Sequence, residues 1–319
     1  MENVPAFNCQ SLHNVKPSVF SSWVFNRCLT AKGPALWQRV LRGVRWRIGK
    51  ASDPTVAFQF EGFRLLAPIS HQLAFFRRDL PLYSKNIGTV AKLLRDRYPD
   101  LTMVDIGANI GDTAAIVNRQ CSVPMLCVEG SPRFFDYLKE NLSAMAVDAE
   151  LDLALVGDEM NGPLRLVMKE GTGRSEFDVE TGTKAQSLST ILARHPRFMN
   201  FKLLKVDTDG FDCSILGGEL PLLEKHHPVI FFEYDPFLFC GSPWDGMRLL
   251  LGLRRIGYDA ALFYANTGEL LAGGSLADED FLHDMHAWAS RRVPRRYCDV
   301  CVFAQEDGEV ATQIRAVAR

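Results

Sequence analysis

The 319-residue sequence has no run of about 18 apolar residues, the length that a membrane-spanning helix needs. Its first residues lack a basic segment followed by an apolar one, so we expect no secretory signal. Internal repeats and low-complexity stretches are absent, and 47% hydrophobic with 23% charged residues are ordinary values for a globular chain. The sequence therefore predicts a folded, cytoplasmic protein that does not cross a membrane.

The eight cysteines offer little chemistry. In a chain of this length without an export signal, they are typical of reduced thiols rather than of disulfides. Cys298 and Cys301 have the CxxC spacing, but they lie in a predicted strand, where positions three apart point to opposite faces. We therefore expect neither a metal site nor a redox pair there.

A basic surplus is also missing, since 36 Lys and Arg oppose 38 Asp and Glu; this excludes a polycation that binds nucleic acid. The first 50 residues are the exception, with eight basic side chains and one acidic one. In a predicted helix over residues 35–50, the apolar side chains share one face: Trp37, Val40, Leu41, Val44 and Ile48. The pattern fits peripheral contact with an anionic membrane, or a helix packed on its own domain.

Strand and helix patterns alternate from residue 101 onwards. Apolar runs predict five buried strands, each followed by a helix: LTMVDI, VPMLCVE, AELDLALVG, FKLLKVD and PVIFFEY. Two later strands, DAALFYA and YCDVCVFAQ, enclose a polar insertion, and TVAFQFEGFRLLAPI predicts an earlier hairpin that turns at Glu61 and Gly62. The pattern predicts an α/β fold, a doubly wound sheet with helices on both faces.

The domain organisation follows from these patterns. We expect a basic helical arm at 1–52, a domain at 53–305 whose α/β core begins at 101, and a tail at 306–319. In doubly wound sheets, ligands bind outside the carboxyl ends of the strands, where the strand order reverses. The residues that follow each strand are therefore the candidates for function.

The first strand ends in a glycine loop and a helix start that form the first part of the predicted ligand site: Asp105, Gly107, Asn109, Gly111, Asp112 and Thr113. Glycines let the backbone approach a ligand closely, and the start of a helix is electropositive. Asn109 stands where a dinucleotide-binding GxGxxG motif would have glycine, which disfavours a pyrophosphate cradle. The loop instead suits a ligand that carries a carboxylate or an ammonium group.

The second and third strands complete a nucleoside site. Glu129 ends the second strand, where a carboxylate holds a ribose diol in related sheets, and Ser131 begins the following helix. We expect the third strand to run to Gly157, with Ala154 and Leu155 covering an adenine face and Asp158 facing its amino group. A core strand leading to an ordinary turn is the alternative for this third segment.

The fourth and fifth strands end in acidic residues. Asp207 and Glu233 are candidates for a general base, or for binding an amino group or substrate hydroxyls without moving a proton. Asp209 is predicted to cap the next helix. A divalent cation on these three acids is an alternative, but crowded acids also pair with lysine, here Lys205, and we predict no metal.

The histidines are weaker candidates. His195, His226 and His227 precede strands, which places them at the opposite edge of the sheet from the strand ends. His283 and His286 lie in the late polar insertion, where we expect solvated helix residues.

Five segments, in this order and spacing, resemble the FkbM family of S-adenosylmethionine-dependent methyltransferases: VDIGANIGDTA, CVEGSP, SLSTIL, LLKVDTDGFDCSILGG and PVIFFE. The resemblance covers residues 83–305. It implies S-adenosylmethionine as cofactor and a Rossmann-like, seven-stranded sheet whose last strand, YCDVCVFAQ, is antiparallel. Family members mostly methylate hydroxyls of sugars or polyketides. Two motifs depart from the family pattern, since Asp209 replaces the Glu of D-V-E-G and Gly130 replaces the first Pro of E-P-x-P.

The sequence thus favours an S-adenosylmethionine-dependent O-methyltransferase that acts on a carbohydrate or glycolipid-type hydroxyl by in-line displacement. A catalytically silent protein that binds the same cofactor or a nucleoside is one alternative. A nucleotide-dependent oxidoreductase is another, which the Asn109 loop argues against. We expect acceptor selectivity to reside in residues 158–184, in the N-terminal elements and in residues 266–294, and we expect no nucleic-acid partner.

Overall fold

The structure is a computed structural model that describes residues 15–30, 35–157, 163–169, 172–177, 183–238, 244–291 and 296–318, with only the backbone described in 163–177. Within these ranges, no helix is both long enough and apolar enough to cross a membrane.

The N-terminal part combines helices with a β-hairpin. Its elements are α1 (Val19–Thr30), α2 (Ala35–Ala51), β1 (Thr55–Phe60), β2 (Phe63–Pro68), α3 (Leu73–Asp79) and α4 (Lys85–Arg97). β1 and β2 pair antiparallel around Glu61 and Gly62, whose φ angles of 51° and 88° are left-handed, so the predicted hairpin is confirmed. Asn141 joins the hairpin to the core, because its side chain accepts a hydrogen bond from the backbone N–H of Leu66 and donates one to the Leu66 carbonyl.

The remaining elements alternate as the sequence predicts. They are β3 (Met103–Ile106), α5 (Asp112–Gln120), β4 (Met125–Glu129), α6 (Pro132–Ala144), β5 (Ala149–Leu153), β6 (Pro163–Lys169), β7 (Thr172–Phe177), β8 (Thr183–Lys184), α7 (Leu188–Arg194), β9 (Leu203–Val206), α8 (Asp212–Gly218), α9 (Leu220–His226), β10 (Val229–Tyr234), α10 (Gly246–Arg255), β11 (Tyr258–Ala265), β12 (Leu270–Ser275), α11 (Glu279–Ala289), β13 (Cys298–Ala304) and α12 (Gly308–Val317).

The central sheet has the order β12-β11-β13-β10-β9-β3-β4-β5. Strands β5, β4, β3, β9 and β10 are parallel, whereas β13 runs antiparallel to both of its neighbours, β10 and β11. The strand order reverses between β3 and β9, which places a crevice at the carboxyl ends of these two strands. The predicted α/β class and the antiparallel last strand are confirmed.

The strand count differs from the prediction, because the sheet has eight strands and not seven. The additional strand, β12, lies in the segment predicted as a polar insertion and pairs antiparallel with β11. Its sequence, LLAGGS, has two glycines and no alternation of apolar and polar residues, so local propensity does not favour a strand. Pairing with β11 imposes the extended conformation instead.

Two predicted boundaries were also wrong. The third core strand, β5, ends at Leu153 rather than at Gly157, and Val156 forms only an isolated bridge with Gln186. Ala154, Leu155 and Val156, which follow β5, are buried among the apolar side chains that cover one face of the sheet, and they are not paired in the sheet. Their apolar pattern therefore resembles a longer strand. The pattern after the fourth strand, FDCSILGGELPLLEKH (residues 211–226), predicts one continuous helix, but the structure has two, α8 and α9, divided at Glu219.

Apolar side chains cover both faces of the sheet. One layer includes Ile87, Ala114, Leu138 and Val310, which come from α4, α5, α6 and α12. The other layer packs α7, α8, α10 and α11 through Leu188, Leu216, Leu249 and Leu282. With both faces covered, the carboxyl ends of the parallel strands are the open place for a ligand.

Candidate functional site

The glycine loop between β3 and α5 lies at the point where the strand order reverses. Gly107, Asn109 and Gly111 adopt left-handed φ angles of 77°, 49° and 87°. A Cβ atom on Gly107 would lie 1.9 Å from the carbonyl oxygen of Asp207, at the end of β9. Only glycine permits this approach, so the loop holds the ends of the two strands together.

Glu129 connects the first two strand ends. One of its carboxylate oxygens accepts a hydrogen bond from the backbone N–H of Asn109 at 2.8 Å, and the other accepts one from the backbone N–H of Ser131 at 2.7 Å. The residue is 7% exposed, and its burial raises the pKa of the carboxyl to about 7 although both N–H groups oppose the shift. The structure therefore brings together Asn109, Glu129 and Ser131.

Leu155 covers the turn that follows Glu129. A Cβ atom on Gly130 would lie 2.3 Å from the Leu155 side chain, so glycine at this position lets the leucine lie against the turn. Ala154 and Leu155 are both buried after the end of β5. Asp158, the third residue predicted on this side, lies outside the described residues.

A buried ion-pair network lies beneath the loop. The Lys205 ammonium lies 3.3 Å from an Asp105 oxygen and 3.2 Å from an Asp207 oxygen. Asp105 is fully buried, and burial raises its pKa against the opposing effect of Lys205; burial also raises the pKa of Asp112 to about 6. Thr113 is buried at the start of α5. Lys205 thus neutralises part of the acidic charge.

The loop after β9 is organised by Asp212. One carboxylate oxygen of this residue accepts hydrogen bonds from the hydroxyl of Thr208 at 3.0 Å and from the backbone N–H of Gly210 at 3.3 Å. Asp209 has a left-handed φ of 52°, and α8 begins only at Asp212, with Phe211 at the N-cap position. The prediction that Asp209 caps this helix was wrong, because the chain turns through two left-handed residues first.

Two further acids extend this cluster along the sheet. Glu233 at the end of β10 is paired with Asp299 in the antiparallel ladder with β13. Burial, followed by the negative charges of Asp207 and Asp212, raises the pKa of Glu233 well above its ordinary value. Burial likewise raises the pKa of Asp299 to about 7. The cluster can therefore accept protons, or positive charge, near neutral pH.

Asp212 and Asp299 are site residues that the sequence interpretation missed. Asp299 stands near the start of β13, and an antiparallel strand begins at the edge where its parallel neighbours end. The predicted antiparallel strand was therefore the signal that could have revealed it. The sequence analysis did not identify Asp212, because the predicted helix began before this residue and therefore included it.

A shallow cleft lies beside the cluster, lined by Gly210, Asp212, Cys213, Glu233 and Asp235. One Asp212 oxygen is buried there without a hydrogen-bond partner among the described residues. Tyr83 and Tyr297 lie nearby, since burial and the surrounding carboxylates raise the pKa of both phenols. Within the described ranges, no three His, Cys, Asp or Glu side chains converge as metal ligands.

The histidines have other partners. His195 contacts Glu150 at 2.7 Å on the edge strand β5. His286 was predicted to be solvated, but its ring forms a hydrogen bond of 2.7 Å with the buried hydroxyl of Tyr234. This contact tethers α11 to β10, whereas His283 is exposed as expected.

Residues 105–260 match the family described as the methyltransferase FkbM domain. The resemblance inferred from the motifs is therefore confirmed over this part of the chain, and with it methyl transfer and S-adenosylmethionine as the cofactor. No curated protein matches the sequence at a significant level.

The solved structures to which this chain is similar are distant from it. A precorrin-6y C5,15-methyltransferase from Geobacter metallireducens is 11% identical, with 68% of this chain and 85% of that chain covered and a TM-score of 0.35. A TehB-like SAM-dependent methyltransferase from Corynebacterium glutamicum is 14% identical, with coverage of 67% and 86% and a TM-score of 0.34. TM-scores this low do not support a conclusion about activity. The fold assignment rests on the strand order of the central sheet.

Proposed function

We propose that this chain transfers a methyl group from S-adenosylmethionine to a hydroxyl of a carbohydrate or glycolipid-type acceptor. The domain match supports methyl transfer. The observation that carries the proposal is the arrangement at the strand ends, where the Glu129 carboxylate bonded to the glycine loop and the acidic cluster around Glu233 follow parallel strands of the same sheet. The glycine loop and Glu129 would hold the cofactor, and the carboxyl groups that line the cleft would hold the acceptor hydroxyls.

The residues around the loop fit this cofactor. Each Glu129 oxygen accepts one backbone N–H and retains lone pairs, which leaves the carboxylate able to accept hydrogen bonds from both ribose hydroxyls. Ala154 and Leu155 would cover the adenine, and the backbone from Gly107 to Gly111 would surround the methionine part. The cofactor carries positive charge, which suits an edge rich in carboxylates.

Asp207 and Glu233 would then have different roles. When bound, the cofactor supplies an electrophilic methyl group on its sulfonium. Glu233 would take the proton of the acceptor hydroxyl, because burial and neighbouring acids make its carboxylate a stronger base than an ordinary one. Asp207 is ion-paired with Lys205, so we assign it to binding the cofactor ammonium or orienting the acceptor.

The charge of the cleft supports a neutral acceptor rich in hydroxyls. The described lining of the cleft includes no Lys or Arg that could bind a phosphate, sulfate or uronate group. The raised pKa values of Asp212, Glu233 and Asp299 let these carboxyl groups both donate hydrogen bonds to sugar hydroxyls and accept hydrogen bonds from them. The nearby tyrosines add aromatic surface on which a sugar ring can pack.

We also propose that helix α2 contacts an anionic, cytoplasmic membrane surface and brings the enzyme to a lipid-linked acceptor. In the structure, one part of the predicted apolar face of this helix is packed against the protein and the other part is exposed. Leu41 is buried and Val44 and Ile48 pack beside it, whereas Trp37 and Val40 are 48% and 45% exposed. The exposed pair lies among basic side chains, which complement anionic headgroups.

Vesicle co-sedimentation tests the membrane contact. The full chain should bind vesicles that contain anionic lipid more strongly than neutral vesicles, and a Trp37→Ser, Val40→Ser variant should lose most of this difference. Equal binding by the variant and the parent chain would refute the contact.

Mass spectrometry tests the reaction. Purified protein with S-adenosylmethionine, incubated with a panel of sugars and glycolipid extracts, should yield products heavier by one methylene. Calorimetry with S-adenosylmethionine and NAD separates the alternatives. NAD binding alone would favour the oxidoreductase, and cofactor binding with no product from any hydroxylated acceptor would favour a silent binding protein.

A further inference from the structure

The segment between β2 and α3 contacts the glycine loop through His71 and is fixed from the N-terminal arm. We call residues 69–72 the strap. The Arg45 guanidinium, on α2, donates hydrogen bonds to three successive strap carbonyls, those of Ile69 at 2.8 Å, Ser70 at 3.1 Å and His71 at 2.8 Å. The guanidinium also lies 4.0 Å from the Phe75 ring centre. One arginine thus sets the course of the strap.

Asp53 holds the strap from its other side. One of its oxygens accepts a hydrogen bond from the backbone N–H of Ser70 and the other accepts one from the Ser70 hydroxyl, both at 2.9 Å. Arg133 on α6 donates to the same carboxylate at 2.8 Å. The strap is therefore anchored both to the arm and to the helix that follows Glu129.

His71 is the strap residue that faces the glycine loop. It is 5% exposed, and its burial lowers the pKa of the imidazole to about 4, so the ring is neutral at pH 7. The backbone N–H of Leu73 donates to Nδ1 at 3.4 Å. Nε2 therefore carries the proton and donates it to the side-chain oxygen of Asn109 at 3.2 Å.

This hydrogen bond fixes an unusual residue. Asn109 has a left-handed φ of 49°, and its backbone N–H donates to Glu129. With the side-chain oxygen bound by His71, the orientation of the Asn109 amide is set, and the backbone N–H that holds the Glu129 carboxylate is set with it. The ring also lies edge-on to Phe134, with centres 5.9 Å apart.

We propose that His71, held in place by Arg45, is a positioning residue for the cofactor, acting through Asn109 on the glycine loop and Glu129. This inference rests on the proposed function, because it assigns a role within the same cofactor site. It makes the basic arm part of that site, since Arg45 belongs to α2. The group that His71 contributes is a single neutral N–H donor.

The test is the affinity for S-adenosylmethionine, measured by calorimetry on full-length variants. His71→Phe keeps an aromatic ring but removes the donor, and it should weaken binding roughly tenfold, the factor expected for one hydrogen bond. His71→Gln places an N–H at the distance of Nε2 and should restore most of the affinity. His71→Asn places the N–H nearer the backbone and should not. Arg45→Gln should weaken binding by a similar factor.

His227→Phe is the matched control. His227 also bonds a carbonyl, that of Ile256 at 2.8 Å, and also lies edge-on to an aromatic ring, that of Tyr258, but at the opposite edge of the sheet. This variant should change the melting temperature as much as His71→Phe does while leaving cofactor affinity unchanged.

A double-mutant cycle separates positioning from general destabilisation. Adding Asn109→Ala to His71→Phe should weaken binding little further, because both changes remove the same hydrogen bond. Additive losses, or affinity that follows melting temperature across all variants, would overturn the proposal. A parent chain that does not bind S-adenosylmethionine at all would instead refute the proposed function.

Discussion

The two edges of the central sheet hold similar acidic residues in opposite surroundings. At the amino edge, which we define by Lys202, Glu306 and Asp307, the lysine lies 2.7 Å from Glu306 and 3.1 Å from Asp307 and lowers the pKa of Glu306. At the carboxyl edge, defined by the site acids described above, burial raises the pKa of Glu129 and Glu233. Paired charges stabilise one edge, whereas burial at the other favours protonated carboxyl groups, which can release their protons when a cationic ligand binds.

The largest difference between the two edges is expected in kcat, when Glu233, the candidate base, is replaced. Glu233→Gln should lower kcat by about 10³-fold, because the variant cannot accept the acceptor proton, while the KM for the cofactor should change little. Steady-state kinetics with an acceptor found by mass spectrometry would measure both. Glu306→Gln at the amino edge should leave kcat unchanged. A kcat for Glu233→Gln within threefold of the parent chain would remove this residue from catalysis.

At the amino edge, we expect a substitution to lower stability without changing cofactor binding. Lys202→Met should lower the free energy of unfolding by about 2 kcal/mol, because it removes the lysine partner of the fully buried Asp307 carboxylate, which keeps only Tyr98 and Arg97 among its described partners. Denaturant titration measures this loss, and the affinity for S-adenosylmethionine should stay the same. Lys225→Met, on the exposed end of α9, is the control. A loss below about 0.5 kcal/mol would show that the amino edge is not held by this pair.

Glu129→Ala sharpens the comparison from the cofactor side. The substitution removes the proposed acceptor of two ribose hydrogen bonds and leaves the backbone N–H groups of Asn109 and Ser131 without their partner. Affinity for S-adenosylmethionine should fall about 100-fold by calorimetry. Glu306→Ala, at the amino edge, should bind normally. Unchanged affinity in Glu129→Ala would show that this carboxylate does not hold the cofactor.

The smallest effect is the pH dependence of stability, and its sign differs between the edges. The pKa values of Glu129 and Asp299 are raised to about 7 in the folded chain, so the folded state binds more protons than the unfolded state between about pH 4.5 and 7. The free energy of unfolding should therefore fall as pH rises through this window. Glu306 has a lowered pKa, and its contribution is lost only as pH falls below about 4.5.

Urea titrations of the ligand-free chain at pH 5 and pH 8 measure this dependence. Glu129→Gln should flatten it, because glutamine does not titrate. A free energy of unfolding that rises between these two pH values would mean that the carboxyl edge is not a proton acceptor.

Much of the fold was readable from the sequence. Five apolar runs predicted the five parallel strands, because strands covered on both faces are apolar along their whole length. The errors arose where pairing rather than pattern decides the structure. Residues 154–156 are apolar yet lie outside the sheet ladder, and residues 270–275 carry two glycines yet form a strand. Neither outcome is encoded in the local sequence.

The site divides in the same way. Asp105, Glu129, Asp207 and Glu233 follow predicted parallel strands, and topology places such residues together. Asp299 joins them from a strand that runs the other way, and His71 from a loop between a hairpin and a helix. These two depend on contacts between segments far apart in the chain, which no local pattern reveals.

By itself, the sequence determined the order of strands and helices and the acids that follow the strands, because hydrophobic periodicity and turn residues act over a few positions. The tertiary structure decided which acids receive a cation and which have their pKa raised by burial. Lys202 and Lys205 are three residues apart, yet one lies at the amino edge beside Asp307 and the other beneath the glycine loop beside Asp105. A pKa depends on burial and on charges within a few ångströms, and those neighbours exist only once the sheet is assembled.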